Sequence, residues 1–381
     1  MKTLHVYFFA TFIASIAGIS AAGAQSNYVI TEIGRDAIPN ALNANGQVTG
    51  RITIPKNGRI PAYTTAFIWS RSAGLTPLGK LPGGTYSIGN SINGHGTVAG
   101  YADVPVSGNS WRAIVWSPSG GMRNLNDVTG ADGKKAADHG WLLHTASAIN
   151  DANQIVGYGS RIGQTGSFDY LWELDGAGNV KIQEVPLGYQ EEDARAINNA
   201  GQIAGSVPHD VVINSQGQIW QYPKAGVWTP GTPAAVTFGF FGGYESHAFG
   251  INNTPVPDVV GYANTAAGNP NAFHLRDSNG NGLWDASEMV NLGTLGGTSS
   301  TAFGVNDLSW VVGSSTNSSG VQRAFVYGSA GMRDLNTISN TGSTWSLSMA
   351  LGINNSGLII ATGTYKVKNT LQNRAVLLSP N

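Results

Sequence analysis

The chain contains no cysteine. Thiol catalysis, thiolate metal sites and disulfide staples are therefore excluded together. Charge is also scarce: 11% of the 381 residues are Asp, Glu, Lys or Arg, the formal net charge is −1, and no run of Lys and Arg occurs. The basic footprint of a nucleic-acid binder or of a polybasic membrane-surface protein is missing. Beyond the N-terminal region no segment shows sustained helical periodicity or is apolar for long enough to span a bilayer.

The long apolar stretch lies at the N-terminus. Lys2 supplies a charged start, Leu4 to Ile19 an apolar run, and Ala22-Gly23-Ala24 a small-residue cleavage site before Gln25. That pattern reads as a secretory signal peptide over residues 1–24, too short for a membrane anchor. The expected product, residues 25–381, is a secreted monomer, extracellular or periplasmic, with no membrane span. Lacking disulfides, it must be stabilised by a large core.

What the chain has in abundance is repetition. A small residue, an aliphatic, Asn, a turn, an aliphatic pair and Gly recur seven times, as in SINGHGTVAG and AINNAGQIAG. The anchor residues are Asn43, Asn93, Asn150, Asn198, Asn252, Asn306 and Asn354, 48 to 57 residues apart. A period in this range marks a repeat architecture. After each phrase comes an aromatic-rich segment (TAFIWS, RAIVWS, FDYLWE, KAGVWT, NAFHLR, RAFVYG, RAVLLS), then a turn and a further apolar run such as GMRDLN. These short runs, bounded by Gly, Asn, Asp and Pro, carry the strand signal.

In repeat order the GMRDL type is strand a, the run into Ile-Asn is b, the QIVG type is c and the RAFVW type is d. Four strands in about fifty residues, seven times over, predict an all-β, seven-bladed propeller of four-stranded antiparallel blades. Strand b, richest in Ala, Gly and Ser, suits the crowded axis, which makes a the outer strand. The a-type strand Tyr28–Ile33 is then expected beside Arg374–Ser379, closing the last blade. A linear solenoid would need polar caps at its ends, and the repeats leave no sequence for them.

These pieces resemble the extracellular HAF-repeat family. AFGINN from Ala248, RAFVYG from Arg323 and NLGTLGG from Asn291 carry the likeness, which extends over nearly all of residues 25–381. Repeats three and seven depart from it, with DHGWLLHTASAIN and GSTWSLSMALGIN where NLGTLGG would recur. The resemblance implies a secreted, propeller-like protein and supplies no catalytic residues.

The strongest local motif is a twelve-residue loop. Asp277, Asn279, Asn281, Asp285 and Glu288 fall at positions 1, 3, 5, 9 and 12, with Gly282 at position 6. This spacing matches a calcium loop: side-chain oxygens from the first three, the Leu283 carbonyl, a water-bridged Asp285 and a bidentate Glu288. Three carboxylates and two amides predict weak, structural calcium. Enzyme motifs fail: Gly74 to Lys80 continues into Leu81 where a phosphate loop needs Ser or Thr, and neither Gly-x-Ser-x-Gly nor His-Glu-x-x-His occurs.

The long connections are mainly a–b or c–d: Arg51 to Thr64, Asn126 to Thr145, Pro186 to Asp193, Ser206 to Lys224 and Gly239 to Ser246. In an up-and-down blade these emerge at one end, where binding or catalysis usually sits. That end gathers His139, His144, His209, His247, Asp138, Glu191, Glu192, Asp193, Asp210, Glu245, Arg35 and Tyr86. His209, Asp210, Glu245 and His247 are the candidate acid–base group. Trp141, Tyr189, Trp220, Tyr222 and Tyr244 are candidate ligand platforms. The plain alternative makes all of these solvated or packed loop residues. The expected function is a secreted propeller binding a glycan or protein partner without catalysis. The alternative is an extracellular polysaccharide lyase or glycoside hydrolase. Trp69, Trp116, Trp172 and Trp228 recur at one position of strand d and read as blade packing; His95 and His274 lie away from the loop end.

Overall fold

The computed structural model describes residues 28–381, except 59–60, 107–109, 188–192, 214–218, 341 and 343, and without the side chains of 209–221. The signal segment 1–24 lies outside the described residues, as do Tyr189, Glu191 and Glu192.

Seven four-stranded antiparallel sheets form a ring, a seven-bladed β-propeller. The innermost strands of blades one to seven are Ala37–Leu42, Ser87–Ile92, Trp141–Ile149, Ala194–Ile197, Gly242–Ile251, Gly296–Val305 and Trp345–Ile353. All are the b strands of the repeat. The N-terminal strand Tyr28–Arg35 pairs with Thr370–Pro380, from Tyr28 opposite Pro380 to Arg35 opposite Arg374, and completes blade seven. That pairing removes the two free edges an open array would leave. The only helical segments among the described residues are three short 3-10 turns, at Leu125–Asp127, Ala136–His139 and Ala286–Glu288.

Packing lies in the seams between blades. Trp69, Trp172 and Trp228 are 5%, 5% and 1% exposed, and Trp116 is half-buried. Trp228 packs with Val156 and Leu171 of the preceding blade and Ile203 of its own. Burying side chains of this size stabilises by about 2–3 kcal/mol each. The Gly that ends each phrase follows from crowding next to the b strand. A Cβ at Gly205 would sit 1.8 Å from the Asp193 carbonyl oxygen, and one at Gly157 1.9 Å from that of Thr145.

The anchor asparagines have two tasks. Each Oδ1 accepts backbone amides of its own b–c turn, for Asn198 those of Ala200 and Gln202 at 3.1 and 2.9 Å. Each Nδ2 also donates to the backbone carbonyl of the next anchor: Asn43 to Asn93, Asn93 to Asn150, Asn150 to Asn198 and Asn198 to Asn252. Asn252 then donates to Asn306, Asn306 to Asn354 and Asn354 back to Asn43, all seven bonds falling between 2.9 and 3.2 Å. Each anchor thus stabilises its own turn and also belongs to a closed cycle around the axis.

One loop reading is corrected. Residues 206 to 224 continue strands c and d of blade four outward as Ile203–Ile213 and Ile219–Trp228, paired as far as Ile213 opposite Ile219. The continuous β-branched run Val211-Val212-Ile213 favours an extended hairpin over an irregular loop.

Candidate functional site

Every inner strand carries a β-bulge at the same place. The register slips at Asn40, Asn90, Ser147, Arg195, Phe249, Phe303 and Leu351, each three residues before its anchor Asn. Bulges re-aim side chains. These seven line a pocket of about 530 Å³ on the axis, joined by Tyr101.

The pocket has two characters. Blades one to four contribute Asn40, Asn90, Ser147 and Arg195; blades five to seven contribute Phe249, Phe303 and Leu351. Asn40 and Asn90 each donate to a carbonyl of the next blade, Gly89 and Ala146, at 3.0 Å. Arg195 is the one charged residue in the lining. Its guanidinium lies 5.3 Å from the Phe249 ring centre, and its Nε is buried without a hydrogen-bond partner.

Beside Phe249 stands the part of the acid–base group that is described. The His247 ring stacks with Phe249 at 6.2 Å and 9°. Its Nε2 donates to Glu245 at 2.9 Å, so Nδ1 is the acceptor for the Ser206 hydroxyl at 2.7 Å. Tyr262 donates its hydroxyl to the same Glu245 oxygen at 2.6 Å. Burial lowers the His247 pKa, with Arg195 acting the same way against the opposing pull of Glu245. Burial and the Glu245 bond raise that of Tyr262. Ser206–His247–Glu245 has the connectivity of a nucleophilic triad, yet Ser206 is 0% exposed and closed to substrate. Tyr262, held protonated, is not a general base at neutral pH.

A buried carboxyl pair lies across the seam of blades three and four. Asp169 occupies the position held in the other six repeats by Ala66, Ala113, Ala225, Ala272, Ala324 and Ala375, all 0% exposed. It is 2% exposed, as is Asp193, and neither Asp169 oxygen has a hydrogen bond of good geometry. Burial, then repulsion from Asp193, push the Asp169 carboxyl up to about 8, against the Ala194 amide and the Arg195 charge. Arg195 thus acts on Asp169, on His247 and on Tyr262 together.

Of the residues singled out from sequence, Glu245 and His247 are brought together. His209 and Asp210 lie in the extended hairpin, His209 opposite Tyr222 and Asp210 at a bulge, and their side chains are outside the described set, as is that of Trp220. Tyr222 and Tyr244 pack with ring centres 5.6 Å apart and planes tilted by 34°, with Tyr244 68% exposed, and form a rim platform. Trp141 is corrected from platform to core: it is 1% exposed, packed on Phe168 and Tyr170 and capped by Arg161 at 4.6 Å. A second platform joins Tyr86, Tyr101 and Trp111, the last two edge to face at 5.2 Å. Asp103 fixes it by accepting the Thr85 and Tyr86 amides, both at 2.7 Å. His274 is a core residue bonded to Asp258 at 2.9 Å, and His95 is exposed in a tight turn, as expected. Asp169, Arg195, Ser206 and Tyr262 were not singled out. Asp169 had a readable signal, a carboxylate where six repeats have Ala.

No family model and no curated protein matches the chain, so the HAF-repeat likeness rests on its motifs. Among solved structures the chain is similar to the Kuenenia stuttgartiensis hydrazine synthase at 11% identity and TM-score 0.43, over 76% of this chain and 44% of that one. It is similar to Trypanosoma rangeli sialidase at 10% identity and TM-score 0.38, over 93% of this chain and 58% of that one. A mutant of AofleA from Arthrobotrys oligospora aligns at 13% identity and TM-score 0.36, over 83% of this chain and 91% of that one. The chain thus spans about half the length of the hydrazine synthase and sialidase chains, and the likenesses concern architecture only. No helix among the described residues is long and apolar enough to cross a membrane.

Proposed function

We propose that this is an exported, non-catalytic binding propeller that holds a glycan or a protein partner at its loop-rich end, with one group inserted in the axial pocket. The observation that carries this reading is the pocket itself. Seven bulged residues, one per blade, surround it with a polar half and an apolar half, and its single charge, on Arg195, lacks a hydrogen-bond partner at Nε. Such a mixture of apolar wall and few polar groups is the usual make-up of a ligand pocket. The Tyr222–Tyr244 and Tyr86–Tyr101–Trp111 platforms supply aromatic faces suited to sugar rings. Export after cleavage near Ala24 belongs to the same proposal.

The competing reading, a polysaccharide lyase or hydrolase, is favoured by one observation, the Asp169–Asp193 pair. A carboxyl held protonated near neutral pH is a general acid in waiting. Its 2% exposure, and the mutual engagement of His247, Glu245 and Tyr262, weigh for binding. The deciding experiment pairs a glycan array with a turnover assay on acidic polysaccharides. The expected result is retention without product release, lost in Arg195→Gln at unchanged fold. Released product would establish the enzyme, and retention indifferent to Arg195→Gln would move the site off the axis.

A further inference from the structure

We infer that the loop Asp277–Glu288 takes one calcium ion, and that the ion braces the seam between blades four and five through Trp284. This is independent of the axial pocket and stands whether the chain binds or catalyses.

The loop lies between strands d and a of blade five, outside the pocket. Asp277 accepts the amides of Gly280, Asn281 and Gly282 at 2.7, 3.1 and 2.9 Å, so positions 1 and 6 are tied across the turn. Gly282 adopts φ 80°, which the sharp turn at position 6 requires. The Asn279 and Asn281 oxygens accept from the amides two residues on, at 2.9 and 2.8 Å. These bonds curl the oxygen-bearing residues into one turn without establishing a ligand.

The independent observation comes from Glu288. It is 8% exposed, and one of its oxygens accepts from the Ser278 amide, the Ser278 hydroxyl and the Asn279 amide at 2.7, 2.9 and 3.0 Å. The carboxylate is thereby lodged at the start of the loop. Its second oxygen, Oε2, is buried with no partner. A buried carboxylate oxygen without a donor is costly, and a cation at the loop centre removes that cost.

The donor set selects the ion. Carboxylate, amide and carbonyl oxygens without imidazole or thiolate favour a hard cation, and an irregular twelve-residue turn suits calcium over the stricter octahedron of magnesium. Asp285 already accepts the Asn279 and Asn281 amide nitrogens at 3.1 and 2.8 Å, which fits a water-bridged ninth position. Among the described residues no three acidic or imidazole groups stand as a ready cage. The affinity is therefore in the extracellular range, about 10⁻⁴–10⁻³ M.

Trp284, at position 8, connects the loop to the ring. Its indole donates to the Pro257 carbonyl at 2.8 Å in the turn of blade five. Its ring meets Phe238, at the outer end of blade four, edge-on at 6.2 Å. An ion that tightens the loop tightens this contact.

The test uses the whole secreted chain. Terbium alone, excited through tryptophan, should luminesce with one bound ion per chain and be displaced by calcium but not by equal magnesium. Emission should fall sharply in Trp284→Phe, and the melting midpoint should climb with the logarithm of calcium concentration. Equilibrium dialysis against about 5 mM calcium should give one ion per chain, lost in Glu288→Gln. Zero binding to the wild type, or one ion retained by Glu288→Gln, overturns the site. If Glu288→Gln fails to fold, Asn281→Ala replaces it under the same criterion. Terbium emission unmoved by Trp284→Phe overturns the bracing through that residue.

Discussion

The tight-turn end of the ring and the axial pocket use the same strands in opposite ways. At the turn end, seven anchor asparagines repeat one pattern of bonds, blade after blade. Three residues earlier on the same strands, seven bulged positions carry Asn, Asn, Ser, Arg, Phe, Phe and Leu. Uniformity at one level builds the frame, and variety at the next lines a pocket that faces a single point. In a repeat protein, therefore, the departures from the repeat at geometrically equivalent places carry the chemistry, and the repeated residues carry the fold. Asp169 sharpens the point, because a carboxylate in a seam position that is otherwise Ala has no structural reason to be there.

Three experiments test that division, in falling order of effect. Removing residues 28–35 leaves strand Thr370–Pro380 as an open edge and exposes Tyr28's seat in the core of the last blade. Loss of the cooperative melting transition is expected, and a truncated chain melting within a few degrees of the parent would show that strand closure is dispensable.

Next comes the frame itself. Asn198→Ala removes a buried side chain that makes four hydrogen bonds, two of them to its own turn's amides and one to Asn252. The expected loss is about 3 kcal/mol, because buried backbone partners are left unsatisfied. The neighbouring exposed Asn199 also bridges blades, bonding Asp151 at 2.8 Å, yet Asn199→Ala should cost only about 0.5–1 kcal/mol. Equal costs in chemical denaturation would mean that the anchor cycle has no special weight.

The third effect has the opposite sign. With its folded pKa raised to about 8, Asp169 binds its proton more tightly in the native state than in the unfolded chain. Its contribution is fully present below the unfolded value near 4 and is lost as pH rises through about 8. Asp169→Ala, which restores the residue of the other six repeats, should raise stability by up to a few kcal/mol at pH 8 and change little at pH 4. A stability–pH profile from pH 4 to 9 that keeps its slope in the variant would remove the buried pair from the account.

The ring was legible because its cause is local and repeated. The Asn phrase and its turn glycines count the blades, and the a-type strand at Tyr28 signals how the last blade closes. The pocket was not legible for an equally physical reason. Strand alternation alone does not say which face of a b strand looks down the axis, and the bulge that turns Arg195 inward leaves no mark at Ala194-Arg195-Ala196. Reading lengths as loops also missed the hairpin that carries His209 and Trp220, because strands c and d of blade four run on past the point where their neighbours stop. Glu245 and His247 were found by residue type, while their partners sit in c strands, Ser206 across the seam in blade four and Tyr262 opposite His247 within blade five.

The cycle of anchor amides runs in one direction and has no first member. Each blade gives one donor and takes one, so the bond closing Asn354 to Asn43 at 3.1 Å is indistinguishable in kind from the other six. Tyr28 and Pro380 are strand partners in the same blade. Chain order is therefore not written into this end of the molecule. A circular permutant that joins those neighbours through a short linker and opens at another tight turn keeps every donor matched, which makes the propeller a scaffold whose starting blade is free to choose.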